Sequence, residues 1–76
     1  MVTIYNANGW KVDSYGNGLS YKLSLTQGDG ETLDTFFQGD DATIFREEFD
    51  AADESDNAEA AFLNLFGAYA GILEAA

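Results

Sequence analysis

The residues best placed to do chemistry are carboxylates, and they crowd the middle of the chain. Residues 29–59 hold twelve of the fourteen acidic residues and a single base, Arg46. Within this stretch, residues 40–50 read DDATIFREEFD. Carboxylates can act as general acids and bases, as oxygen ligands for hard cations, or as fixed negative charges presented to a basic partner.

The residue types that are missing narrow these choices. The 76 residues include no Cys and no His, which excludes thiol nucleophiles, disulfides and imidazole bases or ligands. Catalysis by carboxylates alone needs two acids across a cleft, and so short a chain has little room for one. A formal net charge of −11 would repel nucleic-acid phosphates. We therefore expect no enzymatic activity, no cofactor and no direct nucleic-acid binding.

A dedicated calcium loop is not predicted either. An EF-hand loop starting at Asp53 would have Ala58 where a glycine is required and Asn64 in place of the final glutamate. A loop starting at Asp29 would have Leu33 at a ligand position. We expect no metal site.

The first third of the chain predicts an antiparallel meander. Alternating polar and apolar residues occupy 2–5, 10–15 and 19–26, and Asn-Gly turn sequences separate these runs. A fourth strand and a short irregular segment are both compatible with residues 32–38. The alternation predicts that one face of the sheet is apolar, with Val2, Ile4, Trp10, Val12, Leu19, Tyr21, Leu23 and Leu25.

The other face of the predicted sheet suits water. It is expected to carry Thr3, Tyr5, Lys11, Asp13, Tyr15, Ser20, Lys22 and Ser24. The two tyrosines and two lysines of this face superficially resemble a stacking platform for single-stranded nucleic acid. The negative net charge of the chain argues against that use.

Two helices are predicted after the strands. The first runs from Asp40, as its N-cap, to about Ala52, and the second from about Ala58 to Ala75 behind a capping box of Asp56 and Glu59. The chain is thus predicted to be a single α+β domain over 1–76. Its architecture is an antiparallel β-meander of three or four strands followed by two α-helices packed on one face.

The first predicted helix has an apolar side and an acidic side. Residues 42, 45, 49 and 52 share the side that should face the sheet, whereas the opposite side is acidic around an apolar Ile44. An apolar residue inside a polar rim is typical of protein interfaces. Asp29, Glu31 and Asp34 precede the helix and are expected to extend the same surface. The residues expected to bind a partner are therefore Asp40, Asp41, Ile44, Glu47, Glu48, Glu54, Asp29, Glu31 and Asp34.

A charged run can also be a solvated face with no partner, and that alternative stays open. Two features argue against it. Arg46 and Asp50 are the one opposite-charge pair at i,i+4, so the acids are not matched by bases. Asp50, Asp53 and Glu54 crowd the C-terminal end of the helix, where its dipole favours cations.

The second predicted helix is apolar on nearly all sides. Leu63, Gly67 and Gly71 lie outside its core-facing stripe, so either the chain or a partner must cover them. A monomer and a homodimer through this helix both remain open. The stripe itself consists of Phe62, Leu65, Phe66, Tyr69, Ile72, Leu73 and Ala76.

The run DDATIFREEFD, in a short chain without Cys, His or Pro, resembles the small acidic phage proteins that inhibit bacterial defence, in particular anti-CRISPR proteins of the DNA-mimic type. The resemblance implies binding to the basic DNA-binding surface of a CRISPR effector, foremost a type I Cascade surveillance complex, and a block of PAM or target-DNA binding. Inhibitors of uracil glycosylases and of restriction enzymes are also acidic mimics, so the enzyme blocked stays open.

The sequence also bears on where the protein acts. The N-terminus shows no basic and apolar signal segment and no stretch is long enough to span a membrane, so we expect action in the host bacterial cytoplasm, away from membranes. The alternative function is a non-enzymatic structural or adaptor protein of a virion or assembly, acting through the apolar C-terminal helix.

Overall fold

The computed structural model describes residues 1–71 and 73 in full, and the backbone of 72, 74 and 75. An antiparallel sheet in the order β1-β2-β3-β4 is followed by two helices. This confirms the predicted α+β meander and makes residues 32–38 its fourth strand. The elements are β1 (Val2–Ala7), β2 (Trp10–Tyr15), β3 (Ser20–Thr26), β4 (Thr32–Gln38), α1 (Asp40–Asp53) and α2 (Ala58–Ala75).

The β1–β2 turn forms where the sequence predicts it. Asn8 and Gly9 have φ values of 55° and 82°, so both residues occupy the left-handed region. A two-residue hairpin turn of type I′ needs positive φ at both positions, and Asn-Gly is the pair that tolerates this best. The turn therefore sets the β1–β2 hairpin at Ala7 and Trp10, which are paired across it.

A bulge in β1 interrupts the predicted alternation of side chains between the two faces of the sheet. Thr3 pairs with Asp13 and Tyr5 pairs with Val12, which leaves Ile4 as one extra residue. The extra residue turns Tyr5 to the helix side of the sheet, where its ring lies 4.8 Å from Phe62. The prediction that Tyr5 faces water was therefore wrong, and the platform of two tyrosines and two lysines on one face does not form.

Four further side chains differ from the prediction in their exposure to solvent. Val2 and Leu19 are exposed, because Val2 precedes the bulge on an edge strand and Leu19 belongs to the turn before β3. Conversely, Asp13 is only 1% exposed and Ser24 is also buried, although both lie on the face away from the helices. Asp13 is covered by Lys11 of its own strand, Lys22 of β3 and Thr3 of β1.

The core is a cluster of aromatic rings between the sheet and the helices. Phe45 of α1 is fully buried and stacks on Phe37 of β4 with ring centroids 4.5 Å apart. Phe66 of α2 is also fully buried, and its centroid lies 5.5 Å from that of Trp10. Burial of such a ring stabilises a fold by about 1.5–3 kcal/mol. These rings fix both helices on one face of the sheet.

The predicted buried side of α1 is confirmed: Ala42, Phe45, Phe49 and Ala52 are buried. Its predicted cap is wrong. Gly39 is the N-cap residue, with φ 59° and no side-chain cap bond, and Asp40 is already inside the helix. The left-handed φ of Gly39 lets the chain turn sharply from β4 into α1.

The cap of α2 also differs from the prediction. Asn57 Oδ1 accepts a hydrogen bond from the backbone N–H of Ala60 at 3.3 Å, so Asn57 rather than Asp56 caps the helix. Phe62, Phe66 and Leu73 of the predicted stripe are buried, and Leu65 and Tyr69 are half-buried. The side chain of Ile72 and the whole of Ala76 lie outside the described residues.

Candidate protein-binding surface

The outward side of α1 presents carboxylates on a rigid support. Because its other side is held by Phe45 and Phe49, the polar side must face solvent. Every acid expected there is exposed, and Ile44 among them is 51% exposed. We call this the acidic α1 surface; its residues are Asp40, Asp41, Ile44, Glu47, Glu48 and, at the C-cap, Glu54.

The base nearest to this surface is already engaged. Arg46 Nε lies 3.0 Å from Asp50 Oδ1, and Arg46 Nη1 donates to the hydroxyl of Tyr21 at 3.2 Å. These two hydrogen bonds, with Tyr21 the larger cause, raise the pKa of Arg46 above its ordinary value. The guanidinium is thus directed toward the sheet rather than toward the acidic α1 surface.

The two lysines lie on the opposite side of the molecule. Lys11 and Lys22 each place Nζ 3.8 Å from Asp13 Oδ2, on the sheet face away from the helices. Thr3 Oγ1 donates to Asp13 Oδ1 at 2.7 Å and completes this cluster. Among the described residues, no ion pair joins a base to any carboxylate of the acidic α1 surface. Its negative charge is therefore uncompensated.

Three of the expected partner-binding residues are not brought to this surface. Asp29 and Glu31 lie in the turn before β4, whereas α1 starts after the other end of β4. β4 has seven residues and is therefore about 20 Å long, which separates the turn from α1. Asp29 also has a local role, since its Oδ1 accepts the backbone N–H of Glu31 at 2.9 Å. Asp34 pairs with Ser24, on the face away from the helices.

A small pocket opens beside the acidic α1 surface, where the edge strand β4 meets the two helices. Its volume is about 260 Å³, and Ile44 forms part of its wall. Phe36 also lines it, but the ring of Phe36 lies on the sheet face away from the helices, with its centroid 6.2 Å from that of Tyr15. The pocket is lined by Thr35, Phe36, Phe37, Asp41, Ile44 and Tyr69.

Two of the residues that line this pocket contribute to a negative potential: Asp41 carries a charge, and Tyr69 is hydrogen-bonded to a charged group. The hydroxyl of Tyr69 donates to Glu48 Oε1 at 3.2 Å. Burial raises the pKa of Tyr69, and the charges of Glu48 and Asp41 raise it further. The pocket therefore combines aromatic walls with a negative potential.

Sequence reasoning missed the pocket and the contribution of Phe36 and Tyr69. One signal was available: the adjacent pair Phe36-Phe37 within a strand must place one ring on each face of the sheet. One of the two phenylalanine rings must therefore lie outside the core. The convergence of β4, α1 and α2 on the same point could not be seen without the fold.

The outward side of α2 is the other unpartnered apolar region. Leu63 is 39% exposed, and nothing lies within 4 Å of where a Cβ would stand on Gly67 or Gly71. The described part of the chain therefore leaves this side of the helix open.

In comparisons with known proteins, no family model, no curated protein and no solved structure matches the chain. Among the described residues, no cluster of three acidic side chains could hold a metal ion. No helix in the described part of the chain combines the length and apolar character that crossing a membrane requires. The function must therefore be inferred from the geometry and charge of the chain itself.

Proposed function

We propose that the protein is a phage-type inhibitor that binds the basic DNA-binding surface of a CRISPR effector and blocks PAM or target-DNA binding. The observation that carries the proposal is the acidic α1 surface, in which exposed carboxylates on a rigid helix surround a half-exposed Ile44. No base of the described part of the chain pairs with these carboxylates. A solvated face would gain stability from interspersed bases, and this face has none.

The mode of binding follows from charge and spacing. Asp40 and Glu47 are seven residues apart, so they lie about 10 Å apart along one side of α1. Lysine and arginine side chains that normally hold phosphates would bind these carboxylates instead, and the net charge of −11 would speed the encounter. Ile44 would supply the apolar centre of the interface.

The identity of the effector rests on the resemblance of residues 40–50 to anti-CRISPR proteins of the DNA-mimic type. A type I Cascade surveillance complex in the host bacterial cytoplasm is the partner that we propose. No catalysis and no cofactor is needed, because occupation of the DNA path is sufficient for inhibition.

The experiment measures displacement of DNA. A fluorescent duplex with a PAM is bound to purified, crRNA-loaded type I Cascade, and the full chain is titrated in at about 50 mM and about 300 mM NaCl. We expect loss of fluorescence anisotropy at low salt and a displacement at least about tenfold weaker at high salt. Persistence of the DNA complex at saturating protein would contradict the proposal.

A second candidate function is favoured by the outward side of α2. Leu63, Gly67 and Gly71 leave a surface against which another helix could pack closely. A structural or adaptor protein of an assembly, pairing with itself or with a larger partner, would use that side. Light scattering of the full chain separates the two candidates, because a dimer that persists at high salt favours apolar pairing.

A further inference from the structure

The pocket between β4, α1 and α2 has a size that suits one side chain. Its volume of about 260 Å³ is below the range of about 300–1,000 Å³ that is usual for small-molecule sites. It is also adjacent to the acidic α1 surface, with which it shares Asp41 and Ile44. A partner that covers α1 would therefore cover the pocket as well.

The lining favours a cationic occupant over a purely apolar one. Asp41 lines the pocket and Glu48 accepts the hydrogen bond of the lining Tyr69, so an apolar side chain that displaced water from these groups would not replace its hydrogen bonds. An acidic occupant would be repelled by Asp41 and Glu48. Charge complementarity therefore favours a cation.

The aromatic lining selects among cations. Phe37 and Tyr69, whose rings pack against each other with centroids 5.1 Å apart, both line this small volume. A planar guanidinium stacks on aromatic faces and is less strongly hydrated than an ammonium group, so arginine gains more here than lysine does. The methylene stem of an arginine would cover the apolar Ile44 on the way in.

We infer that this pocket binds an arginine side chain of the partner protein, with its guanidinium near Asp41 and its stem against Ile44. The inference rests on the proposed function, which supplies an arginine-rich partner surface. Beyond the general attraction of basic residues to the acidic α1 surface, one arginine of the partner would thus have a specific binding pocket on this chain.

The test uses the full chain alone and a defined probe. ¹⁵N-labelled protein is titrated with N-acetyl-L-arginine methylamide, and with the citrulline analogue as its neutral isostere. We expect the arginine probe to shift the amides of 35–37, 41, 44 and 69 and to bind at least about tenfold more tightly than citrulline does. Equal binding of the two probes would overturn the inference.

A matched pair of variants separates the pocket from general electrostatics. Asp41→Asn and Glu47→Gln each remove one negative charge from α1, but only Asp41 lines the pocket. We expect D41N to weaken binding of the arginine probe about tenfold and E47Q to weaken it less than about twofold. Equal weakening, with shifts spread along the whole of α1, would overturn the inference.

Failure of this inference and failure of the proposed function give different results. Arginine binding in the pocket, together with failure of the chain to displace DNA from Cascade, would retain the pocket and overturn the function. Displacement of DNA without arginine binding in the pocket would support the proposed function and overturn the inference about the pocket. Thermal unfolding of D41N beside the wild type shows that both are folded, since Asp41 is exposed in the first turn of α1.

Discussion

The hydroxyl of Tyr69 donates a hydrogen bond to Glu48 Oε1 at 3.2 Å, and this bond joins α2 to the acidic side of α1. The same ring packs edge-on against Phe37, with centroids 5.1 Å apart. Tyr69 therefore connects the aromatic core to the charged surface. It also holds one carboxylate of that surface in a defined position.

Replacement of Tyr69 by phenylalanine tests this bond through its pH dependence. At pH 7 we expect Y69F to lower the free energy of unfolding by about 1 kcal/mol or less. The pKa of Tyr69 is raised in the folded state, so its contribution is full below the unfolded value of about 10 and is lost as pH rises through the folded value.

The advantage of the wild type over Y69F should therefore shrink above about pH 10. Urea unfolding of both proteins at pH 7, 9 and 10.5 checks this expectation. A difference that stays constant across these values would show that the hydroxyl does not titrate as we infer.

Two neighbouring residues of α1 should separate stability from binding. Phe45 is fully buried and Ile44 is half-exposed. We expect F45A to lower the free energy of unfolding by about 3–5 kcal/mol and I44A by less than about 0.5 kcal/mol. I44A should nevertheless weaken binding to Cascade about tenfold. Comparable losses of stability in both variants would contradict the burial described above.

The uncompensated charge should make stability depend on salt. Repulsion among carboxylates on one side of α1 opposes folding and is screened as ionic strength rises. We expect the Tm of the wild type to rise by several degrees between about 20 mM and about 500 mM NaCl. Calorimetric scans at the two concentrations measure the change, and a flat or falling Tm would contradict it.

The buried Asp13 should matter for stability and not for binding. Its Oδ1 accepts from Thr3, and both lysines lie within 3.8 Å of its Oδ2. Replacement by alanine leaves these donors without their acceptor, and we expect a loss of about 1–3 kcal/mol in the free energy of unfolding. DNA displacement from Cascade should be unchanged in D13A, because the cluster lies on the face away from α1.

Local periodicity was sufficient to predict three strands, both helices and the buried side of α1. Phe45 and Phe49 recur at the helical period, and that period alone assigns them to the core. The fourth strand remained ambiguous, because its pairing with β3 is not encoded within residues 32–38 themselves.

Features that depend on several strands at once could not be predicted. The bulge at Ile4 depends on how β1 pairs with β2, and it decides which face Tyr5 occupies. The burial of Asp13 depends on lysines from two strands.

The caps of α1 and α2 each differ by one residue from the prediction, because Gly39 and Asn57 compete with adjacent acids for the same role.

Charge reversal on α1 tests the central claim most directly. E47K/E48K and E31K/D34K change the net charge by the same amount, but only the first pair lies on the acidic α1 surface. Their ability to displace a PAM-containing duplex from type I Cascade is measured beside that of the wild type. We predict a loss of at least about 100-fold for E47K/E48K and of about threefold or less for E31K/D34K. Equal losses in the two variants, or undiminished displacement by E47K/E48K, would contradict the assignment of the acidic α1 surface as the DNA mimic.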